Sequence, residues 1–135
     1  MQVLRTIVRV LIGLLFILAG VMTFFIAPPP QPGLAGAVSE ALYHSHWSYF
    51  VAAAQLVLGV LLVTNRYVPL ALTLLFAFLY NSFAYHLGTS AFLLPIPIVI
   101  AALAVFIGWP YRAAFAALFQ ATPERGVADM RRAEH

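Results

Sequence analysis

The chain has no cysteine and no lysine, and its 135 residues include only four acids. Without cysteine there are no disulfides, no thiolate metal sites and no dithiol redox chemistry carried by this polypeptide. Charged residues make up 8% of the chain, against roughly a quarter in a soluble domain. No charge occurs in residues 10–39, 41–65 or 67–111. A water-soluble fold cannot build its surface from such a chain. Disorder is excluded as well, because it needs few apolar residues and high net charge.

What is present is oil. Hydrophobic residues are 64% of the chain and the mean hydropathy is +0.98. Crossing roughly 30 Å of hydrocarbon takes about 20 mostly apolar residues in helix. Four stretches qualify: 6–26, 47–64, 68–87 and 91–109. The predicted fold is therefore an all-α, integral membrane four-helix bundle forming one domain over residues 1–120. Residues 6–26 follow Arg5 and Arg9 as a signal peptide would, but the run exceeds the 7–15 residues of a signal core, so it is read as a mature span. Pro28-Pro29-Pro30 end the first span. Pro69 suits a first helical turn. Pro95 and Pro97 either start the fourth helix or kink it. Pro110 is expected to end it, leaving 111–120 as a short interfacial helix and 121–135 as a polar tail. In the connection 27–46, a short helix is expected from Ser39 onward.

The seven arginines set the orientation. Arg5 and Arg9 precede span one, Arg66 separates spans two and three, and Arg112, Arg125, Arg131 and Arg132 follow span four. Four spans put all seven on one side, whereas three or five would split them. The positive-inside rule then gives cytoplasmic termini, in a prokaryotic inner membrane. The arginines flank apolar spans and form no patch in sequence, so no nucleic-acid partner is expected.

Small residues at helical spacing mark packing faces, above all Gly13 and Gly20 in span one and Gly59 in span two. Polar residues inside hydrocarbon need partners. Gln55 and Asn81 lie at similar depth, level with Gly20. Their side chains are expected either to glue the helices or to form a polar notch for a ligand head group. Tyr80 and His86 complete the candidate ligand-binding set. His44, His46 and His86 could offer three imidazoles to copper or zinc if residues 44–46 are extended; the more ordinary reading is an interfacial belt with Tyr43, Trp47, Tyr49 and Tyr85. No phosphate loop, nucleophile triad or carboxylate pair is present, so no catalytic residues are assigned. No intramembrane acid or lysine exists to couple an ion.

Four segments carry a family resemblance: residues 9–25 (RVLIGLLFILAGVMTFF), 52–72 (AAAQLVLGVLLVTNRYVPLAL), 79–87 (LYNSFAYHL) and 109–119 (WPYRAAFAALF). In order and spacing the chain resembles the DoxX-like membrane proteins, small four-helix bundles of bacteria and archaea. Where that family often has a lysine late in span one and a glutamate in span two, this chain has Thr23 and Gln55. Losing both charges together strands neither. Asn81 and His86 match the family's polar pair, about 140° apart on an ideal helix. The resemblance implies a small subunit of a membrane redox or respiratory complex, with partner membrane subunits and, in some members, a quinone. Two alternatives stay open: a quinone or lipid binder acting alone, and an assembly or cargo helper working through residues 27–46.

The missing cysteines make the topology easy to test. Single-cysteine variants Arg66→Cys and Gln120→Cys should react with an impermeant maleimide only after the cells are opened. Gln31→Cys should react in intact cells. Labelling of positions 66 and 120 from opposite sides would refute the four-span arrangement.

Overall fold

The computed structural model describes residues 1–120; the tail assigned to 121–135 lies outside the described residues. Among the described residues six α-helices follow one another: α1 (Gln2–Phe25), α2 (Gly33–His44), α3 (Trp47–Val63), α4 (Val68–Thr89), α5 (Pro95–Gly108) and α6 (Arg112–Ala116). No strand occurs among the described residues. α1, α3, α4 and α5 form the bundle. The start of α1, the α3–α4 turn and the residues after α5 all line one cavity, so the four helices run alternately up and down. The arginines Arg5, Arg9, Arg66 and Arg112 gather at that end.

Prolines explain where helices begin. Pro69 sits in the first turn of α4, and Pro95 opens α5. There the missing N–H needs no partner, so α5 starts at Pro95, behind a 3-10 turn at 91–93, and is not kinked. Pro110 behaves differently from expectation. It does not stop the helix: the backbone tightens into a 3-10 turn at Trp109–Tyr111 and continues as α6. The helical run from Ala91 to Phe119 is 29 residues long, about 44 Å at 1.5 Å per residue. It therefore outreaches the hydrocarbon. The short C-terminal helix expected after Pro110 is α6, and it follows α5 without a break in helicity.

α2 also begins earlier than Ser39. Gly33 takes a left-handed φ of 68°, which turns the chain out of the proline run directly into helix. α2 and α3 then meet at 85°, with His46 left-handed at the joint (φ 62°). α2 is 12 residues long, about 18 Å, so it cannot span and lies across the end of the bundle. α3 has 17 residues, about 25 Å, somewhat short of the hydrocarbon thickness.

The core joins Ile12 and Phe16 of α1, Leu58 and Leu62 of α3, Leu72, Leu75 and Leu79 of α4, and Ala104 and Ile107 of α5. Phe16 meets Phe78 edge-on, with ring centres 5.3 Å apart. Most of the remaining apolar surface points outward. Only 28% of the most apolar stretch of α1 is buried within the protein. Leu11, Leu14, Leu15 and Leu18 all lie at least half exposed, which is stable only if hydrocarbon is the solvent.

Glycine sets the α1–α3 distance. A Cβ at Gly13 would stand 2.9 Å from the Gly59 carbonyl oxygen, and one at Gly59 would stand 2.6 Å from the Gly13 oxygen. At Gly20 it would meet the Ala52 oxygen at 2.9 Å. The two backbones are in direct contact along this face. That approach brings Arg9, only 8% exposed, beside the end of α3, where its guanidinium donates to the Leu62 carbonyl. α3 ends there in a Schellman turn: Asn65 is left-handed (φ 58°), Arg66 N donates to Leu61 O at 3.1 Å, and Asn65 N to Leu62 O at 3.4 Å. Helix-end carbonyls carry partial negative charge, so the buried cation faces the one backbone feature that suits it.

Gly59→Val should therefore destabilise the bundle by about 1–3 kcal/mol through overpacking. Gly88→Ala should be neutral or slightly stabilising, since a Cβ there meets nothing within 4 Å and alanine is the better helix former. Denaturation of both variants in micelles tests this; equal midpoints would show that the α1–α3 contact is not limiting.

Candidate functional site

The end opposite the arginines holds a cleft of about 320 Å³. Its walls are the last turn of α1 with the following prolines (Met22, Thr23, Ile26, Pro28), the inner face of α2 (Ser39, Leu42, Tyr43), the first turn of α3 (Trp47, Ser48, Val51) and Tyr85 of α4. The lining is mainly apolar. Helix α2 closes one side because the 85° joint folds it over the bundle end, and the Tyr85 hydroxyl reaches toward the Ala35 carbonyl at 3.5 Å. Near the cleft, Phe24 stacks on Tyr49 with ring centres 5.5 Å apart. The size falls at the lower end of small-molecule sites.

Polar groups at this end of the bundle divide into satisfied and unsatisfied; of the unsatisfied ones only Ser48 lines the cleft. Thr23 Oγ1 donates to Ala19 O at 2.8 Å, within its own helix. Ser48 Oγ, Gln55 Oε1 and His86 Nδ1 are buried and have no protein partner. Ser48 and Gln55 are seven residues apart, two turns along the same face of α3. The His86 ring packs edge-on against Tyr85, centres 5.2 Å apart. Buried polar atoms are costly unless bonded, and these three have no bond from the protein itself.

The sequence-predicted residues do not all come together. Gln55 and His86 are half-buried, but Asn81 is exposed and Tyr80 is 73% exposed. The expected Gln55–Asn81 pairing does not form: Asn81 Nδ2 donates to Ala77 O at 3.0 Å on its own helix. The reason is angular. The buried stripe of α4 runs through Val68, Ala71, Leu72, Leu75 and Leu79, and residues 80 and 81 lie about 120° and 140° away from its centre, on opposite sides. Gly20 faces Ala52 and Leu56 at packing distance and lines no notch.

The three histidines are also apart. His44 ends α2 and lies 3.8 Å from Glu40, both largely exposed. His46 begins the turn into α3, with its ring against Tyr49. Residues 44–46 are not extended, so the alternation that would have aligned His44 with His46 does not exist. Among the described residues no three His, Asp or Glu side chains gather in a way that could hold a metal ion.

Ser48 was not singled out by sequence. The signal was available: a small polar residue seven positions before Gln55 shares its stripe. The sequence marks Tyr85 only as a belt residue, because the fold of α2 over the bundle end is a tertiary property.

A sequence model of the DoxX family matches residues 4–88, the region from α1 through α4; the resemblance seen at 109–119 lies beyond it. No curated protein and no solved structure matches the chain. With more than half of the chain matched and an all-helical membrane bundle around it, this protein belongs to the DoxX family.

Proposed function

We propose that this DoxX-family protein is a small subunit of a membrane redox assembly, and that it holds the head group of a quinone in the cleft under α2. The carrying observation is the unpartnered buried Ser48 Oγ in the wall of an apolar cleft, with two further unpartnered buried atoms behind it, Gln55 Oε1 two turns along α3 and His86 Nδ1 next in sequence to the lining Tyr85. A quinone ring offers two carbonyl acceptors when oxidised and two hydroxyl donors when reduced. A serine hydroxyl and a carboxamide can each donate or accept, so both states find partners. An imidazole can both accept and donate a proton, so His86 could exchange the one that accompanies reduction. The prenyl tail would leave between helices into lipid, along surface that is already apolar.

Under this reading the chain supplies binding and orientation, and electrons pass to the ring from partner subunits. The family's association with membrane redox systems supports that division. The arginine distribution supports cytoplasmic termini in a bacterial inner membrane, with the cleft opening at the outer leaflet.

The double variant Ser48→Ala, Gln55→Leu should lose at least about tenfold of the co-purifying quinone, the size expected from losing roughly 1.4 kcal/mol of hydrogen bonding. Asn81→Leu, on the exposed side, should retain it. Extraction and chromatography per mole of protein gives the comparison, and equal quinone in all three proteins overturns the binding reading. For the assembly, protein extracted at native abundance in mild detergent should migrate with other polypeptides on a native gel; migration solely as a free monomer or homodimer rejects the subunit role.

A further inference from the structure

A second cavity, of about 290 Å³, lies at the arginine end and is independent of the cleft under α2. Its polar walls are Gln2, Arg5, Thr6 and Arg9 of α1, Asn65 of the α3–α4 turn, and Tyr111 after α5. By the same measure one water needs about 10–15 Å³, so the space is ligand-sized. Two guanidinium groups stand one turn apart on α1, both on this cavity. Arg9 is 8% exposed and gives one N–H to Leu62 O. The Arg5 guanidinium lies over the Phe106 ring, 5.2 Å from its centre, while its Nε is buried without a partner. Arginine is donor-only, so the cavity is rich in donors and in positive charge. Glu40 is the sole acid among the described residues, and it sits on α2 at the far end. No described carboxylate can reach either cation.

We propose that this cavity binds the phosphate of an anionic phospholipid, with Arg5 and Arg9 as its forked donors. Height favours a lipid over a free ion. Arg5 and Arg9 stand about 5 and 10 Å along α1 from its first residue, at the level of the phosphate layer and just beneath it. Side chains on a helix lean toward its N-terminus, here toward that same surface. The walls of α1 and α5 below the cavity are apolar and can carry acyl chains. Basic pockets between membrane helices are known to accept such head groups. Planar guanidinium groups match phosphate oxygens two at a time, which an ammonium cannot do.

Native mass spectrometry of the full chain in micelles tests this with phosphatidylglycerol and phosphatidylcholine as probes. The expected result is one tightly held phosphatidylglycerol, at least tenfold tighter than phosphatidylcholine. Arg5→Gln should lower that preference at least fivefold, and Arg5→Lys should lower it less. Arg66→Gln, an exposed cation outside the cavity, should leave it unchanged. Melting in micelles identifies a variant that fails to fold; if Arg5→Gln fails, Arg5→Lys carries the test, with at least a twofold loss expected. Equal affinity for the two lipids, or equal loss from Arg5→Gln and Arg66→Gln, overturns the site. Displacement of the lipid by millimolar inorganic phosphate would show a free-ion site instead. Tighter lipid binding after the full-chain changes Glu124→Gln, Asp129→Asn and Glu134→Gln would show that tail carboxylates compete for the cavity, and would overturn the lipid as its resident.

Discussion

The backbones of α1 and α3 touch, and glycine is the reason they can. Gly13, Gly20 and Gly59 remove the side chains that would hold two helices apart, leaving carbonyl oxygens where Cβ atoms would be. In a bilayer there is no hydrophobic gain from bringing two apolar helices together, since lipid tails are as apolar as leucine. Close van der Waals contact has to supply the preference, and glycine maximises it. The same approach sets the two other features of the arginine end. It carries the buried Arg9 to the last carbonyls of α3, and it fixes where the Schellman turn hands the chain to α4.

Buried cations are destabilising unless they meet compensating charge or hydrogen-bond acceptors. Here the compensation is a helix terminus and not an acid. The chain has almost no acids to offer, and a helix C-terminus presents orphan carbonyls with a partial negative charge at no cost in net charge. The polar side chains of the spans follow a related economy. Thr23, Thr73, Asn81 and Thr89 each bond back to a carbonyl one turn earlier on their own helix, which satisfies them without a partner helix. Against that background, Ser48, Gln55 and His86 stand out because they do not.

Much of the architecture was legible in the sequence because bilayer physics leaves few solutions. Runs of 20 apolar residues, interrupted by arginine on one side only, define spans and their alternation with little help from tertiary structure. The packing glycines were legible for the same reason: their helical spacing on facing spans is a local pattern. What sequence could not give was angular or tertiary. The depths of Gln55 and Asn81 match, yet their azimuths differ, and depth alone suggested a pair. Pro110 read as a terminator because proline removes a donor, but a 3-10 turn absorbs the loss and the helix goes on. The histidines converge only if residues 44–46 are extended; the left-handed His46 and the right-angle joint send them in different directions. The candidate cleft was not legible as a cavity, since α2 roofs it from outside the spans.

Arg9 and its acceptor Leu62 are 53 residues apart in the chain. A ribosome adding about 5–20 residues per second makes the cation first and its acceptor several seconds later. Through that interval the first helix has an arginine two turns from its start and no carbonyl to receive it. Until then the guanidinium can be satisfied by snorkelling, its stem stretched toward the water and phosphates of the surface. The acceptor that holds Arg9 in the finished bundle is thus one that α1 alone never has.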